Sequence, residues 1–338
     1  MNTRPSKNQP RRLALAIAAA STACACLPEA PIEEIWTTVS IPPSFENLQA
    51  LDARRVEACF SKEVSVDSIY SEPDLGEALT ENEDEESILI VFSSPLEAGV
   101  RYTIGMEATD RHGNSLSVVS SVCGRNERIP DLLITELRTE YSKPRAEFLE
   151  IKALCDGNLG GVAIHNTSSG INTPLFTFPP CEVQSGEYIV VHLRSMEAGW
   201  IQEIGALDES PGRDACDTAR DFWVEGTTKL TRKNDFMAIV DQDGGILDAL
   251  LVCDYVGEEW KQPDLEEGTH WLGANGAWKA QEGTIMPQDA ASSNGATLTR
   301  TINRDESRED SDSASDWYVC DTSGTSPGLP NSNSRYNP

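Results

Sequence analysis

The feature that most constrains this fold is a hydrophobic period of two. It is carried in short runs, each cut off by glycine, proline, asparagine, aspartate or serine. A strand sends successive side chains to opposite faces, so alternation of this kind marks strands with one face buried and one wet. Residues 54–60 (RRVEACF), 86–92 (ESILIVF) and 100–109 (VRYTIGMEAT) follow the pattern, with turn signals at Ser93, Ser94 and Pro95 and at His112, Gly113 and Asn114. Residues 132–140 and 146–154 repeat it around a turn at Lys143 and Pro144, and residues 175–192 hold a further pair of strands. Residues 236–253 read as a hairpin around Asp243, Gly244 and Gly245. Many short strands with frequent turns predict an all-β fold built from packed sheets. Two stretches stand apart: residues 211–224 are helix-prone, and the acidic run 77–86 reads as a solvated loop.

The chain opens with Arg4, Lys7, Arg11 and Arg12 ahead of an apolar run from Leu13 to Ala20. That is the layout of a secretory signal peptide over residues 1–23, and the run is far shorter than the roughly 20 residues a membrane span needs. Small residues then lead into Cys24 and, two positions on, Cys26, and either is similar to a relaxed lipobox. Lipidation at Cys24, with Cys26 as the alternative, gives a membrane-anchored, extracytoplasmic protein on the periplasmic face or the cell surface. An ordinary signal-peptidase site also fits the same small residues. Residues 24–43 carry Pro28, Pro31, Pro42 and Pro43 and read as the lipidated N-terminus and an extended spacer. The net charge is −28, and losing the four leader cations makes it more negative still. Such a surface repels nucleic acid, so no nucleic-acid partner is expected.

Two units follow the spacer. Residues 56–69 (VEACFSKEVSVDSI) and 102–117 (YTIGMEATDRHGNSLS) resemble the strands of bacterial Ig-like domains, which implies one β-sandwich over residues 44–126. The second unit, residues 129–331, resembles the lamin tail domain, itself an Ig-like sandwich. The residues that carry this are Ile134 and Glu136, the run Glu147, Phe148, Leu149, Glu150 and Ile151, then Leu159, Gly160 and Gly161, and Ser185, Gly186, Glu187 and Tyr188. Near the end, residues 295–301 (GATLTRT), Asp316 with Trp317, the run Ser326, Pro327 and Gly328, and Asn331 complete the match. The resemblances imply two Ig-like sandwiches, the second interrupted at about residues 254–294 by a partly helical insertion.

A search for chemistry returns little. His112, His165, His192 and His270 have no zinc-motif spacing, and no phosphate-binding loop, dinucleotide fingerprint or nucleophile elbow occurs. His192 closes an apolar strand, where a structural role is expected. Asp241 to Gly244 is a hairpin turn rather than a calcium loop, because position 12 of the loop is Val252. Asp310, Asp312 and Asp316 sit in a solvated acidic loop, and Glu147 and Glu150 point to opposite faces of one strand. No metal, cofactor or catalytic residue is expected.

The expected function is a non-catalytic adhesion, scaffold or protein-interaction module. Its partners are the membrane, through the lipid, and an unidentified protein or envelope component. The alternative is an accessory or targeting subunit of an exported hydrolase such as a nuclease or phosphatase. There are nine cysteines, and lipidating Cys24 leaves an even number, as a disulfide framework requires. Cys59 with Cys123 and Cys155 with Cys181 are the expected bridges, while Cys216, Cys253 and Cys320 stay open. Trp260, Trp271 and Trp278 would share one face of a continuous helix; that face either caps the sandwich or forms an interaction surface.

Overall fold

The computed structural model describes residues 41–337 apart from 83 and 85, so the leader, Cys24, Cys26 and most of the spacer lie outside the described residues. The first unit consists of β1 (Phe45–Ala50), β2 (Arg55–Phe60), β3 (Val64–Glu72), β4 (Ala78–Asn82), β5 (Ser87–Phe92), β6 (Arg101–Asp110) and β7 (Ser115–Cys123). An antiparallel sheet in the order β1-β2-β5-β4 faces a second in the order β3-β6-β7. The alternation explains the packing. Val56, Ala58 and Phe60 on β2, Ile88, Ile90 and Phe92 on β5, and Ile104, Met106 and Ala108 on β6 meet in one apolar core.

The acidic run read as a loop contains β4, whose Ala78 to Asn82 pair with Phe92 to Ile88 of β5. The one acid of β4, Glu81, is a charge of the kind an exposed edge strand carries to discourage pairing with another chain. Asp110 ends β6 by accepting the backbone amides of His112 and Asn114 and the Asn114 side chain, which folds the turn into β7.

The second unit is larger. It contains β8 (Leu132–Arg138), β9 (Phe148–Ala153), β10 (Gly157–Asn158), β11 (Ala163–Asn166), β12 (Phe176–Thr177), β13 (Glu182–Val183), β14 (Tyr188–His192), β15 (Arg220–Trp223), β16 (Asp235–Val240) and β17 (Ile246–Cys253). Helix α1 (Pro263–Ala274) follows, then β18 (Ala291–Ser292), β19 (Ile302–Arg304) and β20 (Trp317–Val319). A six-stranded sheet in the order β15-β14-β9-β8-β19-β20 packs on a five-stranded sheet in the order β12-β11-β16-β17-β18. Most pairs are antiparallel; β14 with β15 and β17 with β18 are parallel. The core between the sheets gathers Ile134, Leu149, Ile151, Val191, Phe222, Ile239 and Leu251.

The helix-prone stretch 211–224 ends instead in β15, because Arg220 to Trp223 gain a ladder with Ile189 to His192 of β14. Tertiary pairing overrides a weak local preference there. The hairpin of residues 236–253 is present, its turn closed by Asp241, which accepts the amides of Asp243 and Gly245. That turn is also a joint. Gln242 donates to the Gly124 carbonyl and accepts the Asn126 amide, tying the hairpin to the chain between the units. Gly160 and Gly161 lie under the loop before β6, where a Cβ on Gly160 would stand 2.2 Å from the Ala98 carbonyl oxygen. Glycine is needed here for the close approach of two backbones.

Candidate functional site

The alternation predicts one wet face on each strand, yet β9 and β14 are buried almost throughout. The face of the six-stranded sheet turned away from the core is roofed by residues 203–219 and by the segment after β20. Polar groups trapped under such a roof must be satisfied, and the structure shows how.

Glu136 on β8 and Glu150 on β9 are register partners and both fully buried. Glu136 accepts the Ser326 amide at 3.1 Å and the Ser326 hydroxyl at 3.2 Å. Glu150 accepts the Thr135 hydroxyl at 2.7 Å and the Gly328 amide at 2.6 Å. Asn331 completes the clasp by donating to the carbonyls of Thr135 and Arg304. The residues that carry the lamin-tail resemblance, Glu136, Glu150, Ser326, Gly328 and Asn331, thus converge on one contact that straps residues 326–331 to the sheet. Burial pushes the Glu136 carboxyl up to about 7. Burial, and then the neighbouring charge of Glu136, push Glu150 well above the carboxylate range.

A charged chain runs beside this clasp. Arg138 pairs with Asp214, which also accepts the Ala146 amide at 2.7 Å. His192 lies between two carboxylates, with Nε2 2.8 Å from Asp221 and Nδ1 3.6 Å from Asp214, and its ring stacks on Trp223 at 3.8 Å. Burial opposes protonation of His192, but hydrogen bonding and charge from Asp214 and Asp221 outweigh it and raise its pKa. Asp221 accepts the Cys216 amide, and Glu203 accepts the amides of Asp221 and Ser210. Each carboxylate therefore folds a turn of the roof. His192 is buried within the fold with Nε2 bonded to Asp221, while Nδ1 has no hydrogen-bond partner among the described residues. Glu147 pairs with Arg194 while Glu150 faces the strap, so the two do point apart.

A third buried set bridges the two sheets. Asp248 on β17 takes both oxygens to Arg304 of β19, at 2.8 and 3.0 Å, and accepts the Ile134 amide at 2.6 Å. The irregularity in the β8–β9 register between Ile134 and Glu136 lies where that amide is taken. Burial pushes Asp248 up to about 7, against the charge of Arg304.

The tryptophans do not share a helix. α1 ends at Ala274 and holds Trp271 alone, with Trp260 before it and Trp278 after it. Gly276 sits just past the helix end with φ 70°, a left-handed conformation that glycine adopts freely. Trp278 is 2% exposed and donates to the Asp289 carbonyl, Trp260 donates to the Ile285 carbonyl, and Trp271 packs beside Phe236 and His165. All three pack on the core of the second unit. Residues 254–294 thus include one helix and pack on the core of the second unit.

All seven described cysteines are free. Cys59 sits in β2 opposite Ser87, near the end of the sandwich where Lys62 meets Asp110, whereas Cys123 pairs with Arg101 at the other end of β6. Nine residues of strand separate those ends, roughly 30 Å, and a disulfide needs Cα atoms within about 7 Å. Cys155 and Cys181 fail for a similar reason. Gly157 registers with Val183, so the ladder offsets the two cysteines by several residues, and the Cys181 thiol is buried against the carbonyls of Glu203 and Ile204. In the acidic loop, Asp310 pairs with Arg304, Asp312 with Lys279, and Asp316 accepts the Ser311 amide and hydroxyl.

Sequence reasoning missed the adjacent-strand pair Glu136 and Glu150, the Asp214–His192–Asp221 chain, and a cleft of about 370 Å³ lined by Arg138, Arg145, Arg213, Thr299, Ser323 and Thr325, among others. The available signal was a carboxylate inside a largely apolar strand, Glu136 in residues 132–138 and Glu150 in residues 148–153.

These features define a roofed all-β sandwich with a polar outer layer. Residues 130–319, almost all of the second unit, match the family model TP_1001_2nd, described as a protein second domain, and the chain belongs to that family. An uncharacterized protein of Treponema pallidum (strain Nichols) is 31% identical over 163 residues, 46% of this chain and 42% of that protein, so the match spans less than half of the relative. Among solved structures, the N-terminal part of the bacterial S-layer protein SbsC is similar over 43% of this chain and 39% of its own, at 11% identity and a TM-score of 0.26. L,D-transpeptidase 3 from Mycobacterium tuberculosis is similar over 62% of this chain and 98% of its own, at 10% identity and a TM-score of 0.19.

Proposed function

We propose that this protein is a lipid-anchored, extracytoplasmic binding or scaffold module that performs no chemistry of its own. The observation that carries the reading is where the buried acids go. Glu136, Glu150, Glu203, Asp214 and Asp221 each accept backbone amides of the chain's own loops. A general acid or base must reach a substrate; these groups are spent on holding a roof in place. The joint at Gln242 and Gly160 supports the same reading, since it gives a binding module a fixed presentation of both units. Lamin-tail character of the second unit, Ig-like character of the first, and lipidation at Cys24 or Cys26 belong to this proposal.

The test is anchoring and capture together. Replacing Cys24 and Cys26 by serine should release the processed chain from the membrane fraction and abolish palmitate labelling. The released chain should still retain a partner from envelope extracts on an affinity column. A double variant that stays membrane-bound, with a parent chain that takes up no palmitate, removes the lipid anchor from the proposal. Turnover of any ester or phosphodiester by the purified chain removes the non-catalytic part.

A further inference from the structure

We propose that the cleft beneath the strap is a binding site for a phosphate group, either inorganic phosphate or a phosphate monoester on a small molecule. In a chain with a net charge of −28, this cleft gathers Arg138, Arg145 and Arg213, and Asp214 is the acid that lines it. Arg138 is 3% exposed and held at the floor by the Ala146 carbonyl and Asp214. Arg213 stands at the rim on Glu197. Arg145, also at the rim, has no ion-pair partner among the described residues, and its charge is close enough to Arg138 to add to burial in lowering the pKa of that guanidinium. Asp214 already neutralises Arg138, so Arg145 beside it adds a second positive charge to the cleft, which an anion bound there would offset.

The hydroxyls point to the same ligand. Thr325 Oγ1 is buried without a hydrogen-bond partner among the described residues. Ser323 is held at φ 68°, a left-handed conformation that costs a non-glycine residue energy, with its amide fixed on the Thr299 carbonyl at 3.0 Å. An orphaned hydroxyl and a strained residue lining one cleft are features that a bound group would explain. Guanidinium forks bind carboxylate or phosphate. Three hydroxyl-bearing residues, Thr299, Ser323 and Thr325, line the cleft beside those forks; together they offer more donors than the two coplanar oxygens of a carboxylate can take, and the three terminal oxygens of a phosphate monoester suit them better. This inference goes beyond the module reading and stands on the cleft's own donors, whatever anchors the chain.

Calorimetric titration of the full chain at fixed ionic strength in chloride buffer tests it, with inorganic phosphate, glycerol 3-phosphate and acetate as probes. One saturable site is expected for at least one phosphate probe, with acetate at least tenfold weaker. Binding of inorganic phosphate alone assigns the free anion, and binding of glycerol 3-phosphate alone assigns the ester. Arg145→Gln should weaken binding at least tenfold, and Thr325→Val should weaken it severalfold. Both variants should melt like the parent chain, and Arg101→Gln in the first unit should bind normally. No saturable phosphate binding, acetate binding equal to phosphate, or an unchanged affinity in Arg145→Gln overturns the proposal.

Discussion

The two units solve the same packing problem with different chemistry. In the first, the alternating residues of β2, β5 and β6 form an apolar core, and its buried polar side chains are few, chiefly Ser87 and Asp110. In the second, the six-stranded sheet is covered on both faces, and Glu136, Arg138, Glu150, His192, Asp221, Asp248 and Arg304 are all buried. The difference follows from loop length. Short turns leave the outer face of a sheet to water, whereas long connections laid over it must bring partners for most of the polar groups they bury. The first unit is therefore specified by hydrophobic pattern, and the second by pattern together with a set of matched charges. Buried ion pairs of this kind add little net stability, but losing one partner is costly.

The largest test of that contrast is Arg304→Met. It leaves Asp248 buried between the sheets, and unfolding in urea should show a loss of about 3 to 5 kcal/mol. Adding Asp248→Leu to Arg304→Met should recover much of the loss, since the pair is then replaced by apolar volume. The matching change in the first unit, Lys62→Met, removes a 3.3 Å pair with a part-exposed lysine while Asp110 keeps its bonds from His112 and Asn114, and should cost about 1 kcal/mol. Equal losses at the two sites would break the comparison.

The pattern of the sequence made the first unit legible because each strand there needs only its own alternation. The edges of β2, β5 and β6 fall within a residue of the alternating runs. β4 was not legible, since this short strand, with Glu81 its one acid, lies inside an acidic run whose composition is that of a solvated loop. In the second unit β8, β9, β16 and β17 were visible. β15 was not, because its pairing with β14 is parallel and follows a long excursion over the roof. The lamin-tail-like residues marked the clasp without revealing it. Glu136 and Ser326 are far apart in sequence, and nothing local says that one accepts a hydrogen bond from the other. The charged cleft was hidden for the same reason, its lining coming from β8 and four separate loops.

Next in size is a pH effect of opposite sign in the two units. Glu136 is pushed up to about 7 in the fold from an ordinary 4.5, so the folded state holds a proton that the unfolded state releases first. Its contribution is fully present below about pH 4.5 and is lost as pH rises through 7. Glu136→Gln carries no such charge. Its melting temperature should change less between pH 5 and pH 8 than that of the parent chain, with the gap closing at the acidic end. Asp110 in the first unit is shifted the other way, held below its ordinary range by hydrogen bonds from Asn114, His112 and Lys62 against some burial. Its contribution is present at neutral pH and lost on acidification. Asp110→Asn should therefore flatten the acid limb alone. Should both variants alter the same limb, the two units do not differ in the way their buried acids suggest.

The smallest expected effect concerns the thiols, and it bears on whether either unit leans on covalent bonds. An extracytoplasmic chain with many cysteines invites a disulfide framework, which in a small exported domain is typically worth about 2 to 5 kcal/mol. Here the folded cores are sufficient without one. Cys59 and Cys123 occupy opposite ends of the first sandwich, and burial pushes the Cys181 thiol in the second up to about 11, keeping it a protonated, unreactive group. Reduction should consequently leave the melting temperature of both units unchanged. Cys123 is the most exposed of the seven described thiols and should label first with a thiol reagent in the native state, while Cys181, Cys253 and Cys320 should label only on unfolding. Peptide mapping without reduction offers the sharpest check. A bridge between Cys59 and Cys123 would require the two ends of β6 to approach each other, and so would overturn the strand pairing of the first unit as well as the contrast drawn with the second.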